Sequence, residues 1–330
     1  MSHVNPDQKC HPRRIDRRLL PDPADAQKGR VILAVGLGIA AIALGALAYA
    51  NRPRRVPVDA VPPAEFPRDR FAHDVFETLL RRFVAADGSI AYQRWSEDKQ
   101  SVEQLHAYLA AVSRFSPENS PDRFASNADE LAYWIYAYNA YVIKSVLDHW
   151  PVASVMDVKA PLEPIKGMGF FFRLRYPFGG RYLSLLAVEN NRIRRHFRDP
   201  RIHFVLSCAS GSCPAVRPAL PTGDALDALL AEAAADFVSN PRNVFIDHDE
   251  QRIAVSRIFK WYKSDFLNEL RLRGLSAEKG IVDYIRLVAP ASLASELSKA
   301  PGYELVYRDY DWALNAAADD HGNNPGASRP

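Results

Sequence analysis

Residues 131–150 read LAYWIYAYNAYVIKSVLDHW, and this stretch decides the fold. Its apolar and aromatic residues occupy nearly every face of a helix, so the pattern predicts a buried helix over 128–149. Asp129 and Glu130 stand in its first turn, where acidic groups complement the helix dipole, and Pro151 ends it. The sequence therefore predicts a globular domain built around this helix.

Shorter elements surround the predicted central helix. Apolar residues at three- and four-residue spacings predict further helices over 69–86, 101–114, 185–197, 223–239, 256–272 and 280–288. Runs rich in β-branched and aromatic residues predict short strands at 182–186, 202–206, 243–246, 253–255 and 303–307. We therefore predict an α+β fold that is mainly helical, with a small and mostly antiparallel sheet.

An uncharged apolar run, VILAVGLGIAAIALGALAYA, occupies residues 31–50. Twenty helical residues span about 30 Å, the thickness of the hydrocarbon core of a bilayer, so the run predicts a single transmembrane anchor. Seven basic residues precede it and three follow it, which favours a cytoplasmic N-terminus and a body on the extracytoplasmic, periplasmic side of the inner membrane. Two alternatives stay open: Ala48-Tyr49-Ala50 matches a leader cleavage pattern, and the cluster Arg52–Arg55 is compatible with the opposite orientation.

Composition divides the chain into five segments. They are a disordered cytoplasmic tail at 1–30, the anchor at 31–50, a Pro-rich linker at 51–68, the globular domain at 69–315 and a disordered tail at 316–330. The net charge is +5 over residues 1–60 and −2 over the rest of the chain. A nearly neutral body argues against nucleic acid as a partner, since such binding relies on neutralising phosphates.

The chemically informative stretch is DPRIHFVLSCASGSCP, residues 199–214. It places both cysteines of the body, Cys208 and Cys213, in a loop of small residues after a predicted strand that carries His203. A thiolate at neutral pH needs a base or a cationic neighbour, and a histidine is the usual base. The stretch therefore predicts a nucleophile at Cys208, with Cys213 as the alternative nucleophile if the chain folds back at Gly211.

Two other interpretations of the cysteines stay open. A disulfide between Cys208 and Cys213 is compatible with an extracytoplasmic location, and its stabilisation would be modest because the loop that it closes is short. A metal site is disfavoured, because a C-x4-C pair and one upstream histidine fall short of four ligands. We predict no metal and no cofactor.

Charged residues on the predicted 185–197 helix are candidates to support the site. Glu189 lies on this helix, and we expect it to orient His203 as the carboxylate of a catalytic triad does. The alternative is an ion pair between Glu189 and Arg192 or Arg194. Arg194 is retained as a supporting residue.

Polar groups on other elements complete the predicted site. Asn139 lies in an aromatic helix, where an unpaired amide is costly, so it supports a neighbouring loop or belongs to the site itself. We expect the backbone N–H groups near Ser210–Ser212, including that of Ser212, to face an oxyanion. Tyr262 and Asp265 are three residues apart on one helix face, which favours packing and a hydrogen-bonded anchor over substrate contact.

Several separated motifs resemble the bacterial and plant DUF547 family, a domain of unknown function. In chain order they are YWIYAYNAYV, LSLLAVEN, IRRHF, DPRIHFVLSCASGSCP, VSRIFKWYKSDF and a closing YDWALN, over roughly residues 125–315. The resemblance implies that the family's Glu, His, Cys, helical Asn and Cys-Pro correspond to Glu189, His203, Cys208, Asn139 and Cys213-Pro214. The chain departs from the family at Asn190, where histidine is common.

The resemblance implies a site similar in kind to the Cys-His-carboxylate sites of papain-like and transglutaminase-like proteins. We therefore expect a membrane-anchored, thiol-dependent hydrolase or acyl or peptidyl transferase. In this mechanism Cys208 attacks an acyl or amide carbon of a peptide-like substrate, His203 is base and then acid, and Glu189 holds the imidazole tautomer.

Two non-catalytic functions remain as alternatives. The first is a binding module for a peptide or a thiol-containing small molecule, with a structural or redox Cys208–Cys213 disulfide. The second is a membrane-tethered scaffold for an envelope partner. The sequence carries no signal for an oligomeric state.

Overall fold

The computed structural model describes residues 23–318, apart from residues 162, 164, 165, 220, 224, 277 and 279. The chain divides into two compact units between Arg52 and Pro53. The predicted tails fall partly outside the described residues, at 1–22 and 319–330.

The described part of the first unit is one helix, α1 (Pro23–Ala50). Within it, Ile32–Ala50 is long and apolar enough to cross a membrane by length and composition, with a mean hydropathy of 2.3. Residues 23–30, predicted to belong to a disordered tail, form the first turns of this helix. A membrane anchor and a signal sequence both have these features.

The second unit combines helices and sheets, and the chain is about 53% helical. Its helices are α2 (Asp74–Phe83), α3 (Tyr92–Glu97), α4 (Lys99–Arg114), α5 (Asn127–Asp148), α6 (Leu185–Val188), α7 (Arg195–Phe197), α8 (Ala225–Ser239), α9 (Ile258–Trp261), α10 (Lys263–Leu272), α11 (Ile281–Val288) and α12 (Ala291–Ser298). Its strands are β1 (Arg54–Arg55), β2 (Leu174–Phe178), β3 (Arg181–Leu183), β4 (Val244–Asp247), β5 (Arg252–Val255) and β6 (Glu304–Tyr307). The predicted α+β class is confirmed.

The strands form two three-stranded sheets, in the orders β1-β2-β3 and β4-β5-β6. Each sheet has one parallel and one antiparallel pair. In the second sheet Val255 lies opposite Val244 on the antiparallel side and opposite Tyr307 on the parallel side. The prediction of one mostly antiparallel sheet is therefore wrong, because β1 and β6 join their parallel neighbours from distant parts of the chain.

The core is built around α5, as the aromatic stretch predicts. The Ser126 side chain accepts a hydrogen bond from the N–H of Asp129 and caps the helix. Every residue from Leu131 to Val146 is buried. The Tyr133 hydroxyl donates to the carbonyl of Phe115 at 2.8 Å, so a ring is buried while its polar end is satisfied.

Residues 53–68, predicted to be a linker, belong instead to the second unit. The N–H of Val56 donates to the carbonyl of Arg175 at 2.8 Å, and the Phe66 ring stacks on Phe115 with centroids 6.0 Å apart. Apolar residues between the prolines thus attach an extended segment to the core. All buried hydrophobic side chains described lie at Phe71 or beyond, so the fragment 53–330 contains a complete core.

Two buried histidines, His73 and His203, make stability depend on pH, and the share of His73 follows from the size of its pKa shift. Burial first, and the charge of Arg70 second, lower the pKa of His73 to about 3. We expect His73 alone to lower the free energy of unfolding of fragment 53–330 by about 3 kcal/mol between pH 7 and 4, because the unfolded chain then binds a proton that folded His73 does not. Urea unfolding across this range measures the slope.

The matched variants are His73→Gln and, at an exposed position, His196→Gln. His73→Gln should reduce the slope and leave the part that His203 contributes, and His196→Gln should leave the whole slope unchanged. An equal slope in wild type and His73→Gln would contradict the assignment.

Candidate functional site

Both cysteines of the second unit line a cavity of about 660 Å³, a size typical of small-molecule sites. Its apolar wall consists of Met168, Phe171, Phe172, Leu186, Leu206, Pro214, Ile258, Trp261 and Trp312. Its polar and ionisable side chains are Tyr138, Lys166, Glu189, His203, Tyr262 and Tyr310. The cavity therefore brings together the cysteines, the histidine and the glutamate that the sequence singled out, namely Cys208, Cys213, His203 and Glu189.

Two π-helical segments border this cavity. Met168–Arg173 contributes apolar wall, and Glu189–Arg194 contributes the buried carboxylate of Glu189. The helix predicted over 185–197 is present, but it is interrupted by the second of these segments between α6 and α7. Such π-helical turns are frequent at functional sites.

The strand predicted at 202–206 is wrong, because Pro200–Phe204 forms a 3₁₀ helix. The Asp199 carboxylate accepts a hydrogen bond from the N–H of Arg201 at 2.9 Å, and proline at the first position starts the helix. Ile202 and Phe204 are buried, so a short apolar run gave the same signal as a buried strand.

The cysteine loop is held by Asn139 and bends at Ala209. The Asn139 amide donates to the carbonyl of Val205 at 2.9 Å and accepts from the N–H of Ser207 at 2.9 Å. Ala209 has a φ of 57°, in the left-handed region that costs a residue with a Cβ about 1–2 kcal/mol. Asn139 therefore supports the loop, and it is not among the residues that line the cavity.

Cys208 and Cys213 are joined in a disulfide, with Cα atoms 6.1 Å apart. The N–H of Cys208 donates to Sγ of Cys213 at 2.8 Å, and the Tyr310 hydroxyl lies 3.1 Å from Sγ of Cys208 and 3.4 Å from Sγ of Cys213. The Ser210 hydroxyl lies 3.1 Å from Sγ of Cys208. These donors would stabilise a thiolate after reduction, whereas the joined sulfurs are not nucleophiles.

Residues 310–316 clamp the cysteine loop from the opposite side. The N–H of Gly211 donates to Ala313 at 2.7 Å, and the N–H of Ser212 donates to Asp311 at 3.2 Å. Ser212 Oγ accepts from the N–H of Asp311 at 2.9 Å. A Cβ at Gly211 would lie 2.7 Å from an Asp311 carboxylate oxygen, so a larger residue here would displace the Asp311 side chain.

The predicted oxyanion site near Ser210–Ser212 is therefore wrong for Gly211 and Ser212. Their N–H groups already donate to the carbonyl oxygens of Ala313 and Asp311. The N–H of Cys213 likewise donates to the carbonyl oxygen of Ser210. The polar groups beside the sulfurs that can still donate are the N–H of Cys208 and the hydroxyls of Ser210 and Tyr310.

Asp265, rather than Glu189, holds the imidazole of His203. Nε2 of His203 lies 2.9 Å from Oδ2 of Asp265, and Arg194 binds both oxygens of the same carboxylate, at 2.8 and 3.0 Å. An ionised carboxylate only accepts, so Nε2 carries the proton and Nδ1 is the basic nitrogen. Asp265 is 62 residues from His203, and its spacing from Tyr262 was the one signal for it.

The electrostatics of this group keep His203 neutral and Asp265 ionised. Burial lowers the pKa of His203, although Asp265 and Glu189 oppose the shift. Burial alone would raise the pKa of Asp265, but hydrogen bonds from His203 and Arg194 hold it well below its usual range. A neutral, oriented imidazole is the form that a general base requires.

Glu189 is buried in the cavity wall beside the phenol of Tyr262. Burial, and then the charge of Glu189, raise the pKa of Tyr262 well above its usual value. Arg192 instead lies 2.9 Å from Glu118, and Arg194 binds Asp265, so the predicted alternative of an ion pair with Glu189 is wrong for both arginines. In the described structure no hydrogen bond joins Glu189 to His203.

Asn190 and the two sulfurs make no hydrogen bond with His203 in the described structure. Asn190, where DUF547 proteins commonly have histidine, accepts a hydrogen bond from Arg194. Within the described ranges, neither sulfur is hydrogen-bonded to His203, although all three residues line the cavity. No group of three or more His, Cys, Asp or Glu side chains able to hold a metal ion is found among the described residues.

Residues 122–238 match the family described as "Protein of unknown function, DUF547". The match contains Asn139, Glu189, His203 and both cysteines of the loop, and it confirms the resemblance over this stretch. Asp265 and the 310–316 clamp lie beyond it. No curated protein and no solved structure matches the chain.

Proposed function

We propose that the protein is a thiol-dependent hydrolase or acyl or peptidyl transferase that is inactive while Cys208 and Cys213 are joined. One observation carries the proposal: the cysteine pair, the oriented His203 and the buried Glu189 line the same cavity. Perturbed ionisable groups that converge in a cavity are typical of active sites.

Reduction is the first step of the proposed cycle. A dithiol delivers two electrons and two protons by thiol–disulfide exchange, giving two cysteine thiols while it becomes a disulfide itself. Attack on Sγ of Cys208 releases Cys213 as a thiolate. The N–H of Cys208, 2.8 Å away, stabilises that leaving group.

Acyl transfer follows at Cys208. Its thiol passes a proton to Nδ1 of His203, and the sulfur forms a bond to an acyl or amide carbon. As the carbon–oxygen or carbon–nitrogen bond breaks, the imidazolium returns the proton to the leaving group. Water or a second nucleophile then gives a proton to Nδ1 of His203 and attacks the acyl carbon, and as the carbon–sulfur bond breaks the imidazolium returns that proton to the sulfur.

The surrounding residues have positioning roles in this proposal. Asp265 and Arg194 fix the tautomer and orientation of His203, Asn139 holds the loop, and the Tyr310 hydroxyl is a donor for the developing oxyanion. The likeness to papain-like and transglutaminase-like sites is proposed for the chemistry alone, since a fold does not determine function.

We further propose that α1 anchors the protein in the inner membrane with its N-terminus in the cytoplasm. The excess of basic residues before the apolar run supports this orientation. The second unit is then extracytoplasmic, where disulfides persist.

The second candidate function is a non-catalytic binding module for a peptide or a thiol-containing small molecule. The joined sulfurs and the lack of a described hydrogen bond between His203 and either cysteine favour it. In that case the disulfide is structural, and the cavity alone is the functional feature.

Alkylation by iodoacetamide distinguishes the two functions. We expect fragment 53–330 to be unreactive before reduction and then to show one cysteine with an apparent pKa well below the ordinary value of about 8.5. His203→Ala should remove that shift, and exposed His196→Ala should retain it. Two ordinary thiols that are insensitive to His203→Ala would favour the binding module.

A further inference from the structure

We infer that the cavity binds a linear aliphatic acyl chain, so that the substrate is a fatty acyl ester, thioester or amide. That the ligand is a substrate rests on the proposed function, whereas its binding does not. The ligand class is argued from the cavity walls, which are the same whether or not a cysteine reacts.

The walls favour an aliphatic chain over a peptide. Nine apolar residues from five separate parts of the chain form them, at 168–172, at 186, at 206–214, at 258–261 and at 312. A peptide brings a buried donor and acceptor with every residue, and each unpaired group costs about 1–3 kcal/mol. A methylene chain requires no partners and gains free energy with every buried carbon.

Three exposed apolar side chains line the same cavity. Phe172, Leu186 and Trp261 are 42%, 41% and 45% exposed, and each belongs to the lining. Large hydrophobic side chains that are exposed together mark interaction sites. Exposed Lys166, in the same lining, is complementary to a carboxylate or phosphate at the polar end of the ligand.

The acyl chain has two possible sources. Helix α1 ends at Ala50 and the second unit begins at Pro53, so a membrane-inserted α1 would tether the cavity-bearing unit to a bilayer. A membrane lipid and a free acyl compound present the same chain, and they differ in the group that carries it.

Fluorescence quenching by brominated alkyl carboxylates measures binding directly, because Trp261 and Trp312 line the cavity. The protein is fragment 53–330 with Cys208→Ser and Cys213→Ser, which separates binding from thiol chemistry. We expect saturable quenching and an affinity that rises about fourfold per added methylene until the cavity is filled.

A matched pair of exposed leucines tests the location. Leu186→Arg introduces a charge into the cavity lining and should weaken binding at least tenfold. Leu272→Arg, at a leucine that is 65% exposed and does not line the cavity, should leave the affinity unchanged. Equal binding by the two variants, or an affinity that does not depend on chain length, would overturn the inference.

Two ligands of equal chain length distinguish the sources. Tighter binding of dodecanoate supports a free acyl compound, and tighter binding of dodecanoyl lysophosphatidylcholine supports a membrane lipid. Failure of both overturns the acyl site. Binding by a protein whose reduced cysteines prove ordinary in the alkylation experiment would overturn the thiol chemistry and preserve the acyl site.

Discussion

Cys208→Ser should lower the rate at which reduced fragment 53–330 hydrolyses nitrophenyl acetate by on the order of 10⁴, the scale on which loss of a nucleophile acts. Cys213→Ser should behave differently. It removes the disulfide, so we expect activity that no longer requires a dithiol. Absorbance of released nitrophenolate, with and without dithiothreitol, measures both variants, and the short acetyl group makes the result independent of the acyl-chain site.

The pair of variants also decides between the two cysteines. Sγ of Cys213 accepts the N–H of Cys208 at 2.8 Å, a donor suited to a leaving thiolate, while Sγ of Cys208 lies among the hydroxyls of Ser210 and Tyr310. Activity in Cys208→Ser and none in Cys213→Ser would reverse the assignment. Equal rates in wild type and both variants would contradict thiol catalysis.

The redox requirement and the position of the disulfide are parts of one proposal. The sulfurs lie in the wall of the cavity where a substrate would bind, and not in the core remote from it. A disulfide placed there removes the nucleophile without removing the cavity. The oxidised protein should therefore still bind ligand, which is why binding and alkylation are measured separately.

The sequence predicted the elements whose signals are local. The aromatic stretch around Tyr138 indicated α5 by its all-round apolarity, and two short runs rich in β-branched and aromatic residues indicated β4 and β5. The cysteine loop could be identified because small residues and two cysteines stand together. Each of these signals lies within about one element of the chain.

The features that escaped prediction depend on distant contacts. Asp265 reaches His203 across 62 residues, and Tyr310 reaches the sulfur of Cys208 across 102. The strands β1 and β6 also pair with distant segments, since Arg54 lies opposite Leu174 and Glu304 lies opposite Arg252. A carboxylate on an amphipathic helix looks like a solvated residue until the fold shows which imidazole it faces, so Glu189 was the nearer but incorrect choice for the orienting group.

Asp265→Asn should lower the rate of ester hydrolysis by the reduced fragment by about 10²–10⁴, because an amide can donate to Nε2 and leave the proton on Nδ1, where the base is needed. The variant also loses the carboxylate that raises the pKa of His203, so the acid limb of the rate profile should move to lower pH. Asp309→Asn is the matched control, since its carboxylate also pairs with an arginine, Arg257 at 2.9 Å, but is fully exposed. If Asp265 were only structural, Asp265→Asn would lower the urea midpoint without moving the acid limb. That result would contradict the role of Asp265 in orienting His203.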